Sequence, residues 1–499
     1  MTFVSAKFLI FLAVTYIAYC ITGKVLPKYQ WIILLISSIY FYTSSAPKAV
    51  IILLLTTVIT WVCALEIKNS SDKNKKFFLY IALTADLLPL LIFKYLGPFA
   101  DALKITTALK LALPLGISFY TFQNIGYCID IYRGMAECET NPLKYITYAS
   151  FFPQICQGPI SNYSELAPQL FDRHEFDTEK LIRGSERMLL GYFKKIVIAN
   201  HLGNYINGIY SSPAEYSGLV LAFATFLYAI QLYADFSGYM DIVCGFSEML
   251  GIRIAENFET PYFSHSISEF WRRWHISLGA WFRNYLYYPI IRSKPFSNIA
   301  KKLKSNGKKK AAKTVPAALA LFFTWLLIGL WHGAGLNFIL YGLYHGMFII
   351  LGTFLDSLYK KSKIRLKIND ESITWKCFQI IRTFAIVCFG YVLFRSDSLE
   401  TALLIYRRIF TENFYYGWSW GLRYYSFDIF FWITMAMSVL FCLGIEYIEC
   451  REKFTFWLNR QKLPVRWGIL YIMMFSIASV LIFSNTKASN SANFIYFNF

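Results

Sequence analysis

The chain has 499 residues, of which 56% are hydrophobic, 19% aromatic and only 16% charged, with a formal net charge of +19. A water-soluble protein of this length carries more charge and divides into separate domains, whereas apolar runs recur here from one end to the other. This excludes a soluble enzyme and predicts an all-α, polytopic membrane protein in which residues 1–499 form a single integral membrane domain.

Crossing a bilayer takes about 20 apolar residues. Spans are expected near 5–23, 29–44, 47–66, 77–97, 113–131, 217–246, 315–332, 336–355, 376–395, 426–448 and 467–485, about 11 in all. The first run, Phe8 to Cys20, follows a single charge, Lys7, and has no Ala-x-Ala cleavage site, so it reads as a retained helix rather than a signal peptide. Two crossings separate the loop with Lys24 and Lys28 from the loop with Lys68, Lys73, Lys75 and Lys76, which places both on one side. Positive residues favour the cytoplasmic face, so the expected topology has the N-terminus outside the cell membrane and the basic stretch Lys301 to Lys313 inside. The remaining basic residues also concentrate in loops, without the folded basic surface a nucleic-acid reader needs. Some of that charge would also attract an acidic donor such as a coenzyme thioester.

Two stretches depart from the regular pattern. Residues 141–175 set Pro142, Pro153, Pro159 and Pro168 among Gln154, Gln157 and Gly158, too polar for an ordinary span. Either a re-entrant segment lining a cavity or a plain surface loop fits that composition. Ser266 to Ile290 reads as one amphipathic helix. Its wheel places Phe270, Trp271, Trp274, Leu278, Trp281, Phe282 and Tyr285 on one face and Arg272, Arg273, Arg283 and Asn284 on the other, as expected for a helix lying along an interface or capping a cavity.

Of the six histidines, His174 sits in a charged, solvated stretch, His201 near a helix end and His265 in the turn leading into the amphipathic helix. His332 differs, because it ends the apolar run Val315 to Trp331 and precedes Gly333 and Gly335. A titratable group there is costly in lipid and faces an internal cavity, and a neutral imidazole of pKa about 6.5 can take a hydroxyl proton. Spacing alone leaves open a buried histidine bonded between helices. His275, at the edge of the aromatic face, would orient a substrate or a second imidazole, or satisfy the helix boundary; His345 reads as a packing residue. Cys156 has no adjoining histidine or cation to activate it and reads as a small packing residue. The ten cysteines include no CxxC pair and no Cys/His spacing suited to zinc, so no metal is expected.

Five motifs in order then carry a resemblance. They are LPLGISFYTFQ from Leu113 to Gln123, SFFPQ from Ser150 to Gln154 with Gly158 to Ile160, YADFSGYMD from Tyr233 to Asp241, FWRRWHISL from Phe270 to Leu278 with Trp281 and Arg283, and Trp331 to Ala334. With this hydropathy the chain resembles the membrane-bound O-acyltransferases (MBOAT), in the bacterial branch that acetylates alginate and peptidoglycan, with core motifs over 113–346. The resemblance implies helices ringed around a central funnel and an acyl thioester donor, acetyl-CoA or an acyl carrier, arriving from the cytoplasm. It implies catalysis by His332 with His275 as the second histidine, and Gln123, Ser237, Trp271, Arg283 and Trp331 as candidate cavity residues. It further implies transfer to an exported or cell-wall polysaccharide with the help of a separate exported acyltransferase. The branch also holds the teichoic acid D-alanyl transferase, served by a carrier protein. Chain length and the ending Asn493 to Phe499 favour the acetylating side. A transporter would carry internal repeats, which are not evident, and an inactive scaffold would not need both His275 and His332.

Overall fold

The structure is a computed structural model that describes residues 1–102, 113–412 and 429–483. Among the described residues the chain is helical, and its single β-type contact is the isolated bridge between Phe258 and Trp274. The ending Asn493 to Phe499 lies outside the described residues. Nine of the described helices are long and apolar enough to cross a membrane. They are α1 (Ala6–Val25), α3 (Val50–Asn69), α4 (Asp72–Ala102), α11 (Gly218–Met249), α16 (Lys309–His332), α17 (Leu336–Arg365), α18 (Ile373–Arg395) and two later helices, Ile429–Glu449 and Leu463–Phe483.

The spans expected near 29–44 and 113–131 are helices, but short ones. Helix α2 (Gln30–Ser45) has 16 residues and follows the proline-led turn Pro27–Tyr29. Helix α5 (Ile117–Arg133) has 17 residues, bounded by Gly116 and Gly134 in the left-handed region, and buries Gln123, Asn124 and Asp130. At 1.5 Å rise per residue both fall short of a typical hydrocarbon thickness.

The described residues divide into two compact units, one of residues 1–200, 233–256 and 452–499, the other of 201–232 and 257–451. In the first unit the proline-rich stretch is a broken, buried segment: α6 (Pro142–Ser150), α7 (Phe152–Ile155) and α8 (Tyr163–Phe171). Pro142 occupies the first turn of α6, where its missing N–H costs nothing, and Asn141 Oδ1 accepts from Leu143 N at 2.9 Å. Phe151, Phe152, Gln154, Cys156 and Gln157 are buried, which rules out a plain surface loop. Two of their polar groups are met inside the unit, Phe152 N by Ser38 Oγ at 3.1 Å and Gln154 Oε1 by Gln123 Nε2 at 3.2 Å.

Several buried charges in this unit meet a partner of opposite sign. Lys195 meets Asp235 at 2.6 Å and Lys194 meets Asp241 at 2.9 Å. Arg187, on α9 (Thr178–Tyr192), joins Asp241 at 3.1 Å and Glu256 at 2.6 Å. Burial alone would raise the Glu256 carboxyl, but Arg187 and Lys453 outweigh it and hold it down at about 2. His174, expected to be solvated, is instead half-buried, with Nε2 2.6 Å from the Gln169 carbonyl and its ring against Tyr19.

In the second unit α16 and α17 form a tight hairpin. A Cβ placed on Gly342 would stand 2.4 Å from the Trp325 carbonyl and 2.8 Å from the Gly329 backbone, so the two helices approach closer than any larger residue allows. Asn337, in the first turn of α17, donates to the Leu393 and Ser396 carbonyls at 3.2 and 2.8 Å, which ties this hairpin to the end of α18.

Candidate active site

His332 is the last residue of α16, and the chain leaves the helix through extended Gly333, whose N–H donates to the Leu330 carbonyl at 3.1 Å. A Cβ on Gly333 would lie 2.6 Å from the Phe338 ring, which would have to shift to admit one. The His332 imidazole is 4% exposed and stands nearly perpendicular to three rings. Centroid separations are 4.7 Å to Trp331, 5.0 Å to Phe394 of α18 and 5.8 Å to Tyr341 of α17.

The stretch expected to be one amphipathic helix is not one. It is divided into α12 (Ile267–Arg273), α13 (Ile276–Phe282), a π-helical turn (Arg283–Tyr287) and α14 (Tyr288–Arg292). The break falls at Trp274 and His275, where His275 has φ 48°, in the left-handed region that costs a non-glycine residue strain. The backbone groups it frees are taken up by the segment just before α12. Ile276 N–H donates to the Asn257 carbonyl at 3.1 Å, Ser277 N–H to Asn257 Oδ1 at 3.0 Å, and Glu259 N–H to the Arg273 carbonyl at 3.0 Å. Trp274, which the wheel placed on the aromatic face, is buried against Phe270 and Phe258.

His275 therefore does not ride at the edge of a helix face. It caps α13, is 2% exposed, and has its ring 6.1 Å from the Trp331 indole. Burial pushes its pKa from 6.5 down to about 3, so the imidazole is neutral across the physiological range. Two buried imidazoles from separate segments thus lie against one indole. A neutral histidine held this low is a poor proton store but an able hydrogen-bond donor or acceptor, which separates its capacity from that of a base that must gain a proton.

The remaining sequence-selected residues are placed as follows. Trp331 is buried and its indole contacts both imidazoles. Trp271 is half-buried on α12, with its ring 4.9 Å from Trp325 and 5.0 Å from His345. Arg283 is exposed at the start of the π-helical turn. Gln123 and Ser237 are buried in the other compact unit. His265 sits in the turn before α12, its Nδ1 3.5 Å from Glu269. Tyr341 and Phe394 wall His332 without having been singled out, since contacts between helices leave no trace in the periodicity of one helix. Among the described residues no group of three or more His, Cys, Asp or Glu side chains is arranged to hold a metal ion.

The helices and this histidine centre define a polytopic membrane protein with titratable groups at the end of a span. The model of the membrane-bound O-acyltransferase family matches residues 139–398, a stretch containing both imidazoles, and the chain belongs to that family. It is 33% identical over 352 residues to the probable alginate O-acetylase AlgI of Pseudomonas syringae pv. tomato, covering 70% of this chain and 60% of that protein. The chain thus spans less than two thirds of that relative's length. The probable alginate O-acetylase AlgI of Pseudomonas putida is 30% identical over 460 residues, 86% of this chain and 85% of that one. The peptidoglycan O-acetyltransferase of Helicobacter pylori is 30% identical over 380 residues, 70% and 67% of the two chains.

Proposed function

We propose that the protein is a membrane O-acyltransferase that takes an acyl group, acetyl in the preferred reading, from a cytoplasmic thioester donor and delivers it for O-acylation of an exported or cell-wall polysaccharide. The observation that carries this reading is the pair of buried imidazoles, His275 and His332, each packed against the Trp331 indole. In this chemistry His332 takes the proton of an acceptor hydroxyl as its oxygen attacks the thioester carbonyl carbon. The carbon–oxygen bond forms while the carbonyl π pair moves onto oxygen. Collapse of that oxyanion restores the carbonyl and breaks the carbon–sulfur bond, and the thiolate leaves with the proton from His332. His275, neutral, orients the acceptor or the second imidazole rather than storing a proton.

The acetyl reading draws on the likeness to the alginate O-acetylase and the peptidoglycan O-acetyltransferase. The donor approaches from the cytoplasm and the acceptor from outside a cell membrane in which the N-terminus is external. A separate exported acyltransferase acts as partner in the final transfer.

The test compares a gene deletion complemented with wild type or with His332→Ala, measuring ester-linked acyl groups on cell-surface polymers by mass spectrometry. Acetyl esters restored by wild type and absent with a normally abundant His332→Ala chain are expected. Released D-alanine would move the protein to the teichoic acid branch. Esters that return equally with both chains would remove the acyl-transfer role of His332.

A further inference from the structure

His345 is a fully buried histidine that the proposed chemistry leaves idle, and its surroundings are unlike those of a packing residue. It lies on α17, one helical turn beyond Tyr341, and its imidazole is fully buried. Neither ring nitrogen has a hydrogen-bond partner among the described residues. A buried imidazole without such partners costs stability that a phenyl ring of similar shape would not. Shape alone therefore does not account for a histidine here.

The ring is gripped on several sides by aromatic faces and edges. It stands nearly perpendicular to Tyr341 at 4.8 Å, to Trp271 at 5.0 Å and to Tyr344 at 5.1 Å, with Trp325 at 6.3 Å. On the remaining side it meets the backbone of α18. A Cβ on Gly390 would come within 2.7 Å of His345 Nε2 and 3.1 Å of the Tyr344 ring. Two of these neighbours lead directly to the site. Tyr341 is the ring that walls His332. Trp271 sits on α12, the short helix that ends at the strained turn holding His275. Polarised imidazole edges hold ring faces in a defined direction, which a phenyl edge does more weakly.

We propose that His345 is a positioning residue for the transfer, fixing Tyr341 against His332 and Trp271 beneath the His275 turn through the polarity of its imidazole. This rests on the acyltransferase reading above and deepens it, since one residue sets the geometry around both site histidines at once. A misplacement of about 1 Å at a reacting group is enough to lower a rate by roughly 100-fold.

The test uses cells carrying the full chain as wild type, His332→Ala, His345→Phe or Gly390→Ala, with polymer-bound acetyl esters normalised to membrane abundance and followed between about pH 6 and 8. His345→Phe keeps the ring shape and removes its polarity, and Gly390→Ala keeps every aromatic side chain and displaces the imidazole. Both are expected to lower normalised ester formation by roughly 10- to 100-fold and to shift the midpoint of its pH dependence, because the surroundings of His332 change. A purely structural role would lower abundance and leave the normalised rate and its pH midpoint unmoved. Wild-type rate and midpoint in His345→Phe overturn the proposal. If that variant fails to reach the membrane, wild-type behaviour of Gly390→Ala overturns it alone. Esters unchanged in His332→Ala would instead sink the acyltransferase reading itself.

Discussion

The two compact units treat buried polar groups in opposite ways. In the unit of residues 1–200, 233–256 and 452–499, buried cations meet carboxylates, as in Lys195 with Asp235, Lys194 with Asp241, and Arg187 with Asp241 and Glu256. In the unit of residues 201–232 and 257–451, the buried titratable groups at the site are imidazoles surrounded by indole, phenol and phenyl rings. Paired charges neutralise each other and fix helices in register. An imidazole among aromatic rings carries no charge to compensate and keeps its lone pair for chemistry. On the proposed reading the first arrangement serves as scaffold and the second as the reaction centre.

The largest stability effect is expected where that pairing is broken. Lys195→Ala removes the buried cation 2.6 Å from Asp235, at a cost of about 3–5 kcal/mol, read as a lower melting temperature in detergent. Replacing both residues with apolar ones of similar volume should recover most of that loss; if it does not, the pair does more than neutralise charge. A smaller loss is expected at the close approach of α16 and α17. Gly342→Ala sets a Cβ 2.4 Å from the Trp325 carbonyl and forces the helices apart, at about 1–3 kcal/mol. A melting temperature unchanged by that variant would show that the hairpin yields without strain.

The smallest effect is a pH dependence. The His275 pKa is depressed from 6.5 to about 3 by burial, so the unfolded chain binds a proton that the folded chain refuses. Its contribution to stability is complete above about pH 6.5 and fades as pH falls toward 3. His275→Gln should flatten that part of the stability profile, measured by unfolding at several pH values, and an unchanged slope would mean that the imidazole titrates normally.

Much of the architecture was legible because apolar length is a direct physical requirement of the bilayer, and nine of the expected spans are helices that meet it. The irregular segment from Pro142 to Phe171 was legible too, since its prolines and glutamines cannot form an ordinary span. The break at His275 was not. Neither glycine nor proline marks the Trp274–His275 step, and the residues that stabilise it, Asn257 to Glu259, precede α12 as an unremarkable loop. Helical periodicity through that step put Trp274 and His275 on a face that does not exist. His332 was found because it interrupts an apolar run, whereas His345 sits within one turn of small and aromatic residues and looks like packing until its neighbours on α12 and α18 are seen.

On the proposed reading His332 is chemical and the Lys195–Asp235 pair structural. The most direct test measures polymer-bound acyl esters per membrane-embedded protein for His332→Ala and for the double variant Lys195→Met with Asp235→Leu. The account predicts no esters above the gene deletion for His332→Ala at normal abundance, and a wild-type ratio for the double variant. Esters retained by His332→Ala, or lost from a normally abundant double variant, would contradict it.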